Sequence, residues 1–240
     1  MSGHSKWATI KRQKGAADVK RGLAFTKISN AITIAVRRSG GVADPENNFR
    51  LRIAIEKARE ANMPKGNIER ALRRASGEEG RGVEEVVYEG FAPGGVSVIV
   101  EAVTDNSLRT TSEIKSIFNK EGASFGERGS VSYQFTNKGR ISIEKNGKSL
   151  DEIFNLAAES GAEDLEDEGE DVVVYTSPQD LSIVRSKLEE SGLKLLDTEI
   201  VRKPVQAITI GDEEQREKII NFLRKLEDLD DVQKVYSNLA

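Results

Sequence analysis

The spacing of the apolar residues first changes at "SGEEGRG" (residues 76–82), and that change constrains the fold more than any other feature of this 240-residue chain. Before it, apolar side chains recur at three- and four-residue steps. In "LAFTKISNAITIAVRR" (23–38), Phe25, Ile28, Ile32, Ala35 and Val36 fall on one stripe of a helix. After it, runs rich in β-branched residues alternate with helical patterns. The spacing predicts an all-helical unit joined by a Gly- and Glu-rich linker to mixed α/β units.

In the helical unit, Gly40 and Gly41 stop the first helix, and Asp44–Pro45 reads as cap and first-turn residue of the second. There Leu51, Ala54, Ile55 and Ala58 line one face, while Arg50, Arg52, Lys57 and Arg59 occupy much of the rest. After a turn at "NMPKGN", Pro64 opens a third helix with Ile68, Ala71, Leu72 and Ala75 inward and Arg70, Arg73 and Arg74 outward. Residues 1–76 therefore read as a three-helix domain with basic outer faces.

Beyond the linker, "VEEVVYEG" and "VSVIVEAVT" are strands around a turn at "FAPGG", followed by a helix at "SLRTTSEIKSIFNKEG" capped by Asp105 or Asn106 and a strand at "SVSYQF". Residues 137–204 form a second unit with the order β-α-β-β-α-β, which is ferredoxin-like. Its hairpin turns near Gly169. The tail gives a strand at "VQAITI", a helix and a strand at "DVQKVYSNL", too little to stand alone. The expected class is α+β multidomain: an amino-terminal three-helix domain followed by two α/β domains, the last a ferredoxin-like unit inserted in the middle one. The expected domains are 1–76, 83–136 plus 205–240, and 137–204.

Composition narrows the chemistry. No run approaches the roughly 20 apolar residues that span a bilayer, so no membrane is implied. There is no Cys, which removes disulfides, thiolate metal sites and a Cys nucleophile, and only one His, His4. No G-x-S-x-G, Walker A loop or dinucleotide fingerprint occurs, so neither an enzyme, a cofactor nor a small-molecule substrate is expected. Asp105, Asn106, Arg109 and Thr110 form the densest polar constellation, and a helix cap accounts for them. The acidic run "EDLEDEGED" (163–171) lacks the spacing of a calcium loop and reads as a solvated hairpin.

Net charge is −4, yet residues 1–76 carry 17 Lys/Arg against 6 Asp/Glu, and the remainder carries 19 against 34. A basic module on an acidic body points to a polyanion as partner. Phosphate contacts need Lys and Arg on one exposed surface. Lys6, Lys11, Arg12, Lys14, Lys20 and Arg21 supply that density, and Lys27, Lys65, Arg73 and Arg74 extend it. Trp7, the only Trp, has two readings: it packs on the first helix, or it stacks on an unpaired base, worth ~1–3 kcal/mol. Three short helices with a basic third also fit a helix-turn-helix outline, although no base-reading helix stands out. The ferredoxin-like segment carries 9 bases and 16 acids, so its sheet is not expected to hold RNA. The basic start is also rich enough in cations for a mitochondrial targeting peptide.

"SGHSKWATIKRQKGAADVKRGLAFTKI", "ANMPKGNIERALRRASGE", "YEGFAPGGVSVIVEAVTDNSLRT" and "GSVSYQF" occur in order between residue 3 and residue 136 and together closely resemble the YebC/PmpR family. The resemblance implies a helical amino-terminal domain and two α/β domains. It implies no enzyme activity. Because the likeness begins at residue 3, it implies a bacterial cytoplasmic member with no cleaved targeting peptide. Family members include transcriptional regulators that bind DNA, a mitochondrial translational activator, and bacterial proteins that help ribosomes through proline runs. The family's basic motif maps onto Lys6, Trp7, Lys11, Arg12, Lys14, Lys20 and Arg21, and its "NMPK" motif onto Asn62, Met63, Pro64 and Lys65. Gly66 departs from the acidic residue common in relatives. The expected function is a nucleic-acid-binding regulator of gene expression, with promoter DNA and the transcription machinery, or ribosomal RNA and the ribosome, as competing partners. An adaptor whose α/β units bind protein is the third reading.

Overall fold

In the computed structural model, residues 18–77 and 82–240 are described, with side chains from Gly22 onward in the first helix. Three helices come first: α1 (Asp18–Arg38), α2 (Phe49–Glu60) and α3 (Lys65–Ser76). They close around Ile32, Val36, Leu51, Ala58 and Ala71, with Met63 filling the α2–α3 turn. Burying a Leu or Ile side chain is worth about 1.5–3 kcal/mol. Tertiary burial, more than propensity, therefore holds helices of this length.

The cap of α2 is Asn48 rather than Asp44. The Asn48 side-chain oxygen accepts from the Leu51 amide (3.1 Å), while its Nδ2 donates to the Ala35 carbonyl (3.0 Å) and the Val42 carbonyl (2.9 Å). One buried amide thus caps α2 and satisfies the end of α1, which Asp44, four residues upstream, does not reach. Asp44 instead organises a preceding turn by accepting from the Glu46 amide at 3.1 Å.

Two antiparallel four-stranded sheets follow. The first has the order β3-β1-β2-β8, from β1 (Glu84–Ala92), β2 (Val96–Thr104), β3 (Ser124–Gly126) and β8 (Val232–Ser237). Helices α4 (Ser107–Lys120) and α7 (Glu213–Glu227) cover one face, and the Phe118 and Phe222 rings meet edge-on at 5.0 Å. The second has the order β5-β6-β4-β7, from β4 (Phe135–Glu144), β5 (Asp164–Asp167), β6 (Asp171–Thr176) and β7 (Lys194–Pro204). Helices α5 (Leu150–Ser160) and α6 (Leu181–Glu190) bury Ile153, Leu181 and Leu188 against Ile141 and Val174. Numbered within the unit, the strands run 4-1-3-2, the ferredoxin-like order. The chain leaves the first sheet after β3, completes the second, and returns to the first at β8. The hairpin between β5 and β6 turns at Gly169, whose φ of 89° a side chain rarely adopts.

Two expected strands are absent. "SVSYQF" forms a 3-10 turn over Ser132–Gln134 before β4 begins at Phe135. The cause is Glu89, a buried carboxylate on β1 that accepts the backbone amides of Gly129 (2.9 Å), Val131 (2.8 Å) and Ser132 (2.9 Å). Those amides are thereby withdrawn from any ladder, and the short β3 takes the third-strand place beside β1. "VQAITI" makes a single parallel bridge, Ile208 with Leu239. Its Ile208 and Ile210 serve by packing on the first sheet's core instead.

The bundle is tied to both sheets. Lys27 donates to the Glu227 carbonyl, Arg38 pairs with Glu85, and Arg185 pairs with Glu56 at 2.8 Å. Glu199 on β7 joins all three parts: it meets Lys57 of α2 (3.9 Å), Lys234 of β8 (2.7 Å) and Arg140 of β4 (3.6 Å). Beside it, Lys57 and Asp197 stand 2.9 Å apart, and Phe49 of α2 packs against the second sheet's core.

Candidate nucleic-acid interface

The amphipathic pattern of α3 decides which cations face water. Ala71 is buried, Ile68, Leu72 and Ala75 are partly buried, and the opposite side carries Lys65, Arg70 and Arg73, all exposed. The Lys65 side chain is 90 % exposed and stands 3.6 Å from Glu69, the one acid in the helix. At such exposure the pair is worth little and leaves the ammonium accessible. Pro64 is the N-cap, with no side-chain cap bond and no acid in the first turn. The positive end of the helix therefore adds to the same field. Arg59, at the end of α2, and Arg70 make no ion pair with any described residue, and both are exposed.

Other candidates are placed differently. Lys6, Trp7, Lys11, Arg12 and Lys14 lie outside the described residues. Lys20 and Arg21 lie in the first turn of α1, and their side chains are likewise outside. Lys27 is turned inward to the Glu227 carbonyl, bridging α1 to α7. Arg74 is not on the outer face of α3: its guanidinium reaches the side-chain oxygens of Asn30 (2.7 Å) and Thr33 (3.2 Å) on α1. Burial, then the neighbouring Arg37, pushes its pKa down. The reason is angular, because Arg74 sits one residue past Arg73 and so rotates onto the α1 seam.

The outer side of α2 is less free than its sequence suggests. Lys57 is paired with Asp197, and Arg52 donates to the carbonyls of Pro45 (3.1 Å) and Glu46 (3.0 Å). Arg70 is a cation of this face that sequence reasoning left out of the phosphate-binding candidates. Its signal was present in the spacing, three residues before Arg73 and on the side opposite Ile68 and Ala75.

The Asp105–Thr110 constellation is a structural tie. Asn106 caps α4, accepting from the Arg109 amide at 3.1 Å. Arg109, Thr104 and Thr110 converge on one oxygen of Asp231, at 2.8, 3.0 and 2.6 Å, which pins the α7–β8 turn. Desolvation pushes the Asp231 carboxyl up, but the bonds from Arg109, Thr110 and Thr104 outweigh it and hold the pKa below the usual range. Among the described residues, no group of three or more His, Cys, Asp or Glu is arranged for a metal ion. No described helix is long and apolar enough to cross a membrane.

These features define a class: a multidomain α+β protein in which a basic three-helix module is carried on two antiparallel-sheet units rich in acid. Family models for the TACO1/YebC protein N-terminal domain match residues 5–78, and for the TACO1/YebC second and third domain residues 83–239. The chain belongs to the TACO1/YebC family. It is 50 % identical to a "Probable transcriptional regulatory protein" of Sulfurihydrogenibium sp. strain YO3AOP1 over 99 % of this chain and 95 % of that one. A protein of the same name from Dictyoglomus thermophilum is 49 % identical, with the same coverage. A crystal structure of a conserved hypothetical protein from Aquifex aeolicus matches with a TM-score of 0.89 at 46 % identity, covering 98 % of this chain and 97 % of that one. The relatives' names describe regulation rather than a reaction.

Proposed function

We propose that this protein is a non-enzymatic, cytoplasmic, nucleic-acid-binding regulator of gene expression: a regulator of transcription, as the relatives' names say of them, that acts by binding DNA. The observation that carries the reading is the solvent face of α3, where Lys65, Arg70 and Arg73 project from a helix with one acid. The cations of residues 6–21 continue that charge in sequence. The chain acts as three units, 1–76, 83–136 plus 205–240, and 137–204, with the helical unit docking by charge and the acidic units orienting it.

One observation favours a second reading, ribosomal RNA as the target of a translation factor. Asn67, the one amide side chain on α3 and the kind that reads base edges, is half-buried. What the exposed face presents is Lys65, Arg70 and Arg73, cations that bind the phosphates of RNA as readily as those of DNA. Crosslinking in cells, with sequencing of both DNA and RNA partners, separates the two. Enrichment at promoters supports transcription, and enrichment in ribosomal RNA with none at promoters replaces it. In vitro, Arg70→Ala/Arg73→Ala is expected to flatten the salt dependence of binding by ~0.7–0.9 for each phosphate no longer neutralised. An unchanged slope removes this helix face from the interface.

A further inference from the structure

We infer that the solvent face of α4 is a second polyanion-binding surface, taking the sugar–phosphate backbone of the same nucleic acid. The inference rests on the nucleic-acid reading above. A shallow groove, open to solvent and bordered by α4 alone, runs along this helix, lined by Leu108, Thr111, Ser112, Lys115, Ser116, Asn119 and Lys120. None of the seven is acidic; the one acid of the helix, Glu113, is exposed beside Ser112 and outside this lining. From Leu108 to Lys120 the face is roughly 18 Å long at 1.5 Å per residue.

The lysines set this surface apart. Of the eleven beyond residue 82, seven are paired with a carboxylate among the described residues. Lys115 and Lys120 are not, and both are exposed in the one groove. Lys115 is instead steered by the Phe125 ring, with Nζ 5.0 Å from the centroid. The nearest acid in sequence to Lys120, Glu121, is taken by Lys225 at 2.6 Å. The side chains of Ser112, Ser116 and Asn119 bond to no other described residue, so their donors are available. Thr111 is fixed, donating to the Ser107 carbonyl at 2.6 Å.

Hydroxyls, amides and lysines are the groups that contact phosphate and sugar. Leu108, 84 % exposed on the first turn, gives an apolar surface for a sugar or base face. Complementary charge selects a nucleic-acid backbone as the occupant. A neutral or basic protein surface would leave two ammonium groups unanswered.

The test uses the full chain with a fluorescein-labelled RNA hairpin and a labelled DNA duplex, and reads anisotropy across a salt series. Lys115→Ala/Lys120→Ala is expected to lower the magnitude of the log–log salt slope by up to ~1.4–1.8, two phosphates at 0.7–0.9 each. Lys148→Ala, which removes a lysine outside the groove, is expected to leave it unchanged. An unchanged slope in the double variant, with a reduced slope in Arg70→Ala/Arg73→Ala, overturns this inference and leaves the α3 interface standing. An equal fall with Lys148→Ala also overturns it, because the effect is then one of net charge. If the wild-type chain binds neither probe, the nucleic-acid reading itself fails. Circular dichroism melts check that the exposed substitutions leave the fold intact.

Discussion

Replacing Glu89 by Gln tests the reasoning about the loop that precedes β4. One carboxylate oxygen accepts from both Val131 and Ser132, and the other from Gly129, at 2.8–2.9 Å. The residue is 3 % exposed, so water cannot substitute. Gln keeps one acceptor oxygen, best spent on Val131 and Ser132, and turns an NH₂ toward the Gly129 amide. That leaves donor facing donor, and two charge-assisted bonds become neutral. With an orphaned buried amide at about 1–3 kcal/mol and each of the two charged bonds losing about 1–1.5 on becoming neutral, the expected cost is ~3–6 kcal/mol. Several separate cores in one chain do not guarantee a single unfolding transition. Amide hydrogen exchange at Val131, Ser132 and Phe135 is therefore the direct assay, alongside the urea midpoint. Protection there should fall by roughly 150-fold or more, at a factor of ten per ~1.4 kcal/mol. Desolvation pushes the Glu89 carboxyl up, but the amides of Gly129, Val131 and Ser132 outweigh it, and its pKa is lowered overall. A lowered carboxylate stabilises the fold above its unfolded pKa and loses that contribution as pH falls through the folded value. Wild-type protection at Val131 should thus decline in acid, and the Gln variant should show no such step. Equal protection in the two proteins at neutral pH would refute the argument.

Two further substitutions test neighbouring claims. Arg74→Ala leaves the buried Asn30 oxygen without its donor, an expected loss of about 1–3 kcal/mol in chemical denaturation, with the salt slope of nucleic-acid binding unchanged; a slope reduced as in Arg70→Ala would return Arg74 to the binding face. Gly90→Ala would drive a Cβ into the Ser124 carbonyl oxygen and the Phe118 ring. Crowding of this kind costs about 1–3 kcal/mol and should lower the melting temperature by several degrees, whereas an unaltered melt would mean that β3 is not held this closely against β1.

Much of this architecture was legible because its signals are local. The stripe at Ile32 and Val36, the Pro64 helix start, the Gly169 hairpin and the β-α-β-β-α-β succession of elements all follow from period and turn chemistry within short windows. The failures share a cause at long range. "SVSYQF" has the alternation of a strand, but a carboxylate some forty residues upstream takes its amides. Asp44 is a plausible cap until Asn48 is seen to serve two helices. Lys27, Lys57 and Arg74 look like free cations in sequence, and each finds its partner across the fold, at Glu227, Asp197 and Asn30. Sequence position reports how much charge a helix carries. Which of it remains for a ligand depends on partners that only the folded chain displays.

Glu199 bears on events before any encounter is complete. By joining α2, β4 and β8 through one carboxylate, it helps fix the positive bundle relative to the negative units, so their charge separation behaves as one permanent molecular dipole. Such a dipole experiences a torque in the field of a polyanion within a screening length, about 8–10 Å at physiological salt. The molecule would be turned bundle-first as it diffuses in, raising the fraction of productive collisions.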